Sequence, residues 1–188
     1  MNKRLREIAD ANAAEREHLL RKVDGLTQEQ LDFRPSADKW SIGEVLNHLN
    51  ILETRVGMLL HKKTEEGKSL GHTPDTDEES VLPCLDHLRI PHHDSSVNAP
   101  ELVHPKSGIS KSELLEALSL SREKLLAAME NLSAVDPTKL VAPHPLFGEW
   151  NMYKWAIAIG QHERRHTVQI DAVKSAPAFP SSAATTAI

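Results

Sequence analysis

Three histidines stand where their side chains could share one metal ion. His162 and His166 are four residues apart, and His48 lies far upstream of both. Residues at i and i+4 of a helix lie on one face, about 5–6 Å apart between Cβ atoms, so two imidazoles at that spacing can bind one ion. A third imidazole from a facing helix makes a three-nitrogen site. Three neutral ligands leave a tetrahedral ion one position short, the pattern of reactive rather than closed structural sites. Water or an anionic group such as a thiolate would fill that position, where its pKa falls and a nucleophile forms near neutral pH. The alternative for each histidine is a packed imidazole with a single hydrogen bond. Eleven histidines in 188 residues also make an i, i+4 pair common by chance. Against this, three imidazoles directed into one core each need a partner, because an unsatisfied buried polar group costs about 1–3 kcal/mol. One ion would serve all three.

The stretch His162-Glu163-Arg164-Arg165-His166 also spells H-E-x-x-H, the zinc-protease signature. A protease of that kind needs a third ligand downstream. After His166 there is neither His nor Glu, and Asp171 is the one remaining acid. No strand-rich region is evident to hold a peptide edge-on. Glu163 is therefore expected to be solvated, or to support a ligand, rather than to act as a general base.

Four segments with helical periodicity must position the histidines. The first runs from about Leu5 to Val23, with a stripe weakened by Asn12 and Glu15, and stops at Asp24-Gly25. The second starts at Ser41, where Ser41-Ile42-Gly43-Glu44 fits a capping box, and is expected to end before Gly67. Its stripe, Ile42, Val45, Leu49, Leu52, Val56, includes His48. The third starts with a second capping box, Ser110 to Glu113, and carries Leu114, Leu118, Leu125 and Met129. The fourth starts near Trp150, after a turn-like His144-Pro145-Leu146-Phe147-Gly148, and ends by Pro177. Its stripe, Trp155, Ile159, Ile170, Val173, is continued by His162 and His166. No strand is expected. A long connection, about 64 to 109, joins the second and third helices, and loops of that length are often functional. The expected architecture is all-α, a four-helix bundle in one domain over 1–174, with a flexible tail at 175–188.

Composition narrows the function. A formal net charge of −5, without a long Lys/Arg run, argues against nucleic acid as a partner. The basic start has no apolar stretch behind it, and no segment approaches a bilayer span, so a cytoplasmic location is expected, with no membrane partner. Cys84 is the single cysteine, and implies no disulfide. Several residues have a bland reading that is preferred. His87, His92, His93 and His104 are read as loop histidines rather than a second metal site, and His144 as a turn histidine. Trp40 is read as packing the bundle end, and Trp150 and Trp155 as core. Arg122 is a candidate contact for an anion or thiol, with a surface salt bridge as its alternative.

These residues together resemble the DinB-like (DinB/YfiT) superfamily. The resemblance rests on Trp40-Ser41 followed by His48 inside the second helix, then Phe147-Gly148, His162-x-x-x-His166 and Gln169-Ile170. It covers about residues 3 to 174. It implies an up-down-down-up bundle whose metal ligands are His48, His162 and His166, with zinc or nickel as the usual ion. It further implies a thiol S-transferase acting on a small-molecule substrate with a low-molecular-weight thiol. The other readings are a hydrolase using metal-bound water, or a non-catalytic metal or ligand-binding protein of a stress response. Related bundles often pair, so a homodimer is an expectation as well.

Overall fold

The computed structural model describes residues 1–83 and 101–181. Its elements are α1 (Lys3–Val23), a short α2 (Gln28–Asp32), α3 (Ile42–Ser69), a 3-10 turn (Glu101–Val103), α4 (Lys111–Leu132), β1 (Val141–His144), β2 (Gly148–Asn151) and α5 (Met152–Lys174). Helices α1, α3, α4 and α5 form the bundle. Side-chain pairings give their directions. Asn2 meets Tyr153, Arg16 meets Glu163 and Lys22 meets Asp171, so α1 and α5 run parallel. Gly43 lies against Leu114 and Gly57 against Leu125, so α3 and α4 also run parallel. Ile42 and Val45 at the start of α3 and Leu114 at the start of α4 cluster with Val23 at the end of α1 and with Ile170 and Val173 at the end of α5, so the two pairs are antiparallel. The order is up-down-down-up.

Parallel α3 and α4 require a connection that travels the length of the bundle, which accounts for the long segment between them. Its beginning is tied to the start of α1, where Arg4 donates to Asp75 at 2.9 Å and to the carbonyl of Glu79 at 2.6 Å. Its end, residues 101–110, lies beside the start of α3, where the Lys106 amide donates to Asn47 Oδ1 at 2.8 Å. Cys84, His87, His92 and His93 lie outside the described residues.

The helix starts are built as their sequences dictate. Ser41 and Ser110 each accept from the amide three residues on, and Glu44 and Glu113 return the bond to the cap residue. Thr27 and Gln30 make a third capping box and start α2, which the sequence reading omitted although Thr-x-x-Gln was visible. Helix α3 does not stop before Gly67. It continues to Ser69 because Gly67 is a packing position: a Cβ there would meet Val135 at 3.2 Å and Leu140 at 3.3 Å. The true stop is Gly71 at φ 72°, with Gly71 and His72 amides donating back to the Lys68 and Gly67 carbonyls.

A two-stranded antiparallel hairpin, β1 with β2, precedes α5 and corrects the expectation of no strands. Each strand has four residues, too short for a period of two to register, and Pro143 weakens the strand signal further. His144 stacks here on Phe147 and lies tilted against Trp150 and Trp155, and Trp155 Nε1 donates to the Ala142 carbonyl at 3.3 Å. Trp150 is buried as expected, whereas Trp155 is partly exposed. Of the tail expected at 175–188, the residues to 181 are described. Phe179 packs edge-on against Phe33, and Gln30 Nε2 donates to the Pro180 carbonyl at 2.8 Å.

The apolar core has two parts. One gathers Leu5, Ile8, Val56, Leu60, Leu125, Met129 and Ile157; the other gathers Leu19, Ile42, Val45, Leu46, Leu114, Leu118 and Ile170. Between them α1 and α5 make a close approach. Asn12, the apparent flaw in the α1 stripe, is buried and donates to the Ala156 carbonyl at 2.9 Å, while the Gly160 amide donates to Asn12 Oδ1 at 3.0 Å. A Cβ on Gly160 would lie 2.5 Å from Asn12 Oδ1 and 3.2 Å from its Cα. Gly160→Ala should therefore cost about 1–3 kcal/mol as α1 is pushed away, read as a lower urea midpoint. An unchanged midpoint would contradict this packing.

Candidate metal centre

At the junction of the two core parts, each bundle helix contributes a polar side chain. Arg16 from α1 donates through Nε to Glu163 Oε1 at 2.7 Å and through Nη2 to Glu53 Oε2 at 2.9 Å. Arg122 from α4 donates through Nε to Glu53 Oε1 at 2.6 Å and through Nη2 to both Glu163 oxygens at 3.0 and 3.1 Å. The Ser121 hydroxyl donates to Glu53 as well. Glu53 and Glu163 are each 1 % exposed, so these charges survive burial only because they are paired. Burial pushes the Glu163 carboxyl up, against the pull of Arg16 and Arg122. Burial acts to lower Arg16, but Glu163 and Glu53 outweigh it and hold it above its ordinary value. Two sequence readings are corrected here. Glu163 is not solvated, and Arg122 is neither a surface salt bridge nor free to meet a substrate.

With Glu163 directed into the bundle, its neighbour His162 and the next-turn His166 are rotated toward α3 and the 101–106 segment. There they meet His48. His162 Nε2 lies 3.3 Å from His48 Nε2 and 3.1 Å from His166 Nε2. The three rings form a group able to hold a metal ion, and among the described residues no carboxylate joins them. His48 and His166 are buried, and His162 keeps partial access to solvent.

The outer nitrogens determine what the inner ones offer. His48 Nδ1 lies 2.7 Å from the Val103 carbonyl, which can only accept, so the proton sits on Nδ1 and Nε2 of the neutral ring is a bare lone pair. His166 Nδ1 lies 2.7 Å from Gln169 Oε1, which fixes the same tautomer. His162 Nδ1 is buried with no hydrogen-bond partner among the described residues. If His162 carried its proton on Nε2, that proton could serve only one of the two facing lone pairs fully, and Nδ1 is unpartnered in either tautomer. If the proton sits on Nδ1, three lone pairs meet at one point and require a cation. A tetrahedral ion with bonds of about 2.0–2.1 Å to nitrogen separates its ligands by about 3.3–3.4 Å. The observed spacings fit that requirement.

Trp40, expected to pack the bundle end, closes this site. Its ring lies 4.9 Å from that of His48 and 6.4 Å, nearly parallel, from that of His166. The His104 ring lies nearly perpendicular to Trp40, with centroids 6.1 Å apart. Val103 was not singled out from the sequence, since a backbone carbonyl leaves no residue-type signal. Gln169 was visible only as part of a family motif. His144 stays in the hairpin among aromatic rings.

A bundle with a three-histidine site at the α3–α5 seam defines the class of protein. The profile of the DinB superfamily matches residues 11–170, and the chain belongs to that family. It is similar to the uncharacterized protein YuaE of Bacillus subtilis (strain 168), with 32 % identity over 153 residues, covering 81 % of this chain and 88 % of that one. It also shares its fold with the crystal structure of TT2238, a four-helix bundle protein. The TM-score is 0.58 at 20 % identity, over 89 % of this chain and 98 % of that one.

Two outcomes follow. Glu163→Ala strips the carboxylate from two buried guanidinium groups and should cost about 3–5 kcal/mol in urea denaturation; a variant as stable as the parent would contradict the pairing. The second concerns pH. Burial, with Arg165 and neighbouring histidines, holds His48 and His162 below the ordinary histidine value. The unfolded chain gains protons as pH falls through about 6.5, while these folded-state rings stay neutral until lower pH. Stability of the metal-free protein should therefore be full above about pH 6.5 and decline below it. A His48→Ala, His162→Ala double variant should show a flatter urea-midpoint profile between pH 7.5 and 5.5, and an identical profile would contradict the assignment.

Proposed function

We propose that the protein is a metal-dependent thiol S-transferase, in which His48, His162 and His166 hold a divalent ion, zinc or nickel, and a low-molecular-weight thiol attacks a small electrophilic substrate. The observation that carries this reading is the three-nitrogen set with no carboxylate joining it among the described residues, which leaves a ligand position open. An ion bound there supplies a Lewis acid that lowers the pKa of a thiol taking that position. The protein's own residues do the rest. Val103 and Gln169 hold two of the rings in the tautomer that exposes Nε2. Trp40 covers the His48 and His166 rings and limits water at that side.

The position of Glu163 favours a thiol over water as the nucleophile. Attack by water is helped by a base that takes its proton, the role of the glutamate in H-E-x-x-H proteases. Here both Glu163 oxygens are engaged by Arg122, and one of them by Arg16 as well, so the base is missing. A thiol starts from a pKa near 8.5 and needs far less help to ionise. The hydrolase reading thus depends on a base that the histidine site lacks among the described residues.

Purified untagged protein loaded with zinc or nickel should consume thiol in the presence of a generic electrophile such as a chloronitrobenzene. Removing the metal, or His162→Ala, should reduce the rate at least about a hundredfold, the scale of a lost activating group. Ester hydrolysis without thiol, or tight metal binding without turnover on any thiol, would replace this reading with the hydrolase or the binding protein.

A further inference from the structure

Arg165 lies on α5 between two of the three histidines, three residues after His162 and one before His166. Residues three apart on a helix are surface neighbours, about 5–6 Å between Cβ atoms, so its guanidinium belongs to the rim of the same site. It is partly buried, whereas its neighbour Arg164 is exposed. Among the described residues, the other buried or partly buried arginines, Arg4, Arg16 and Arg122, are each paired with carboxylates. Arg165 has no ion pair or hydrogen bond with any described residue.

Among the described residues, the charge around the histidines is one-sided. The strongest electrostatic influences on His48 and His162 from outside the triad come from Arg165, His104 and His144, all of them bases. The nearest acid in sequence, Glu163, is spent on Arg16 and Arg122. Neutral imidazoles bring no negative charge, so a divalent ion would add two positive charges to a rim that already holds Arg165. A partly desolvated cation without a counter-charge is unfavourable unless a ligand supplies one.

We infer that Arg165 forms an anion subsite beside the three histidines, and that the thiol taken there carries a carboxylate, bound by the guanidinium while its sulfur faces the His48, His162 and His166 nitrogens. This rests on the metal-dependent reading and names the substrate class for it. A guanidinium presents paired N–H donors in the geometry of a carboxylate, which gives direction as well as charge. The subsite orients the thiol by its far end, and a neutral thiol gains nothing from it.

The test is calorimetric binding to cobalt-loaded protein, with the cobalt absorption band as a second readout. The probes are 3-mercaptopropionate, its neutral counterpart 3-mercapto-1-propanol, and propionate, which has the anion but no sulfur. The parent protein should prefer 3-mercaptopropionate over the alcohol by about tenfold to a hundredfold, the range of one charge-assisted hydrogen-bonded contact. Arg165→Gln should erase that preference, with cobalt content and melting temperature retained, while Arg164→Gln, an equal change of net charge on the exposed side, keeps it. Arg165→Lys should restore part of it. Equal affinity of the parent for both thiols, or equal losses in the Arg164 and Arg165 variants, would overturn the subsite and leave the metal reading intact. If neither thiol shifts the cobalt band but propionate binds in an Arg165-dependent manner, the thiol reading fails and the anion subsite stands.

Discussion

Two guanidinium groups and two carboxylates, one from each bundle helix, set the rotation and register on which the rest of this fold depends. Apolar contacts alone would tolerate small slides of one helix along another, because Leu and Ile stripes interdigitate at several offsets. The Arg16, Glu53, Arg122 and Glu163 contacts are directional and fail if a helix turns or shifts by a residue. Charges buried in this way add little net stability over a well-packed apolar layer, but breaking one partner leaves the other unpaired at high cost. Their value lies in specifying a single arrangement.

That arrangement determines the chemistry at the seam. Since Glu163 is locked inward, His162 and His166 emerge on the face toward α3, and His48 completes the set from across the seam. The up-down-down-up order contributes the last component. Parallel α3 and α4 need a long return, and that return delivers Val103 to His48 and places His104 against Trp40. The long connection is thus part of the site wall as well as a consequence of topology. The same lock removes the glutamate that would make H-E-x-x-H a protease motif.

Much of this was legible in the sequence because it is written in local periods. The four bundle helices, two of their capping boxes and the seam position of the three histidines all follow from spacing. The family motifs selected His48 as the partner of the H-x-x-x-H pair. What stayed hidden was set by partners distant in the chain. Asn12 looked like a flaw in its stripe because its partners, Ala156 and Gly160, lie on another helix. Gly67 resembled a helix stop because the contact that needs its missing Cβ comes from Val135 and Leu140. Arg122 read as a substrate contact or surface salt bridge, and Glu163 as solvated or supporting a ligand, because polarity in sequence does not reveal pairing in the core. The hairpin before α5 was too short to show a strand period.

The central claim is that three imidazoles, and no other protein group, bind one divalent ion and leave a position open. X-ray absorption at the metal edge of untagged, zinc-loaded protein measures this directly. Three imidazole nitrogens and one further light-atom ligand are expected, with the light atom replaced by sulfur when a thiol is added. A fourth imidazole, a protein sulfur in the absence of added thiol, or failure to retain zinc would contradict it.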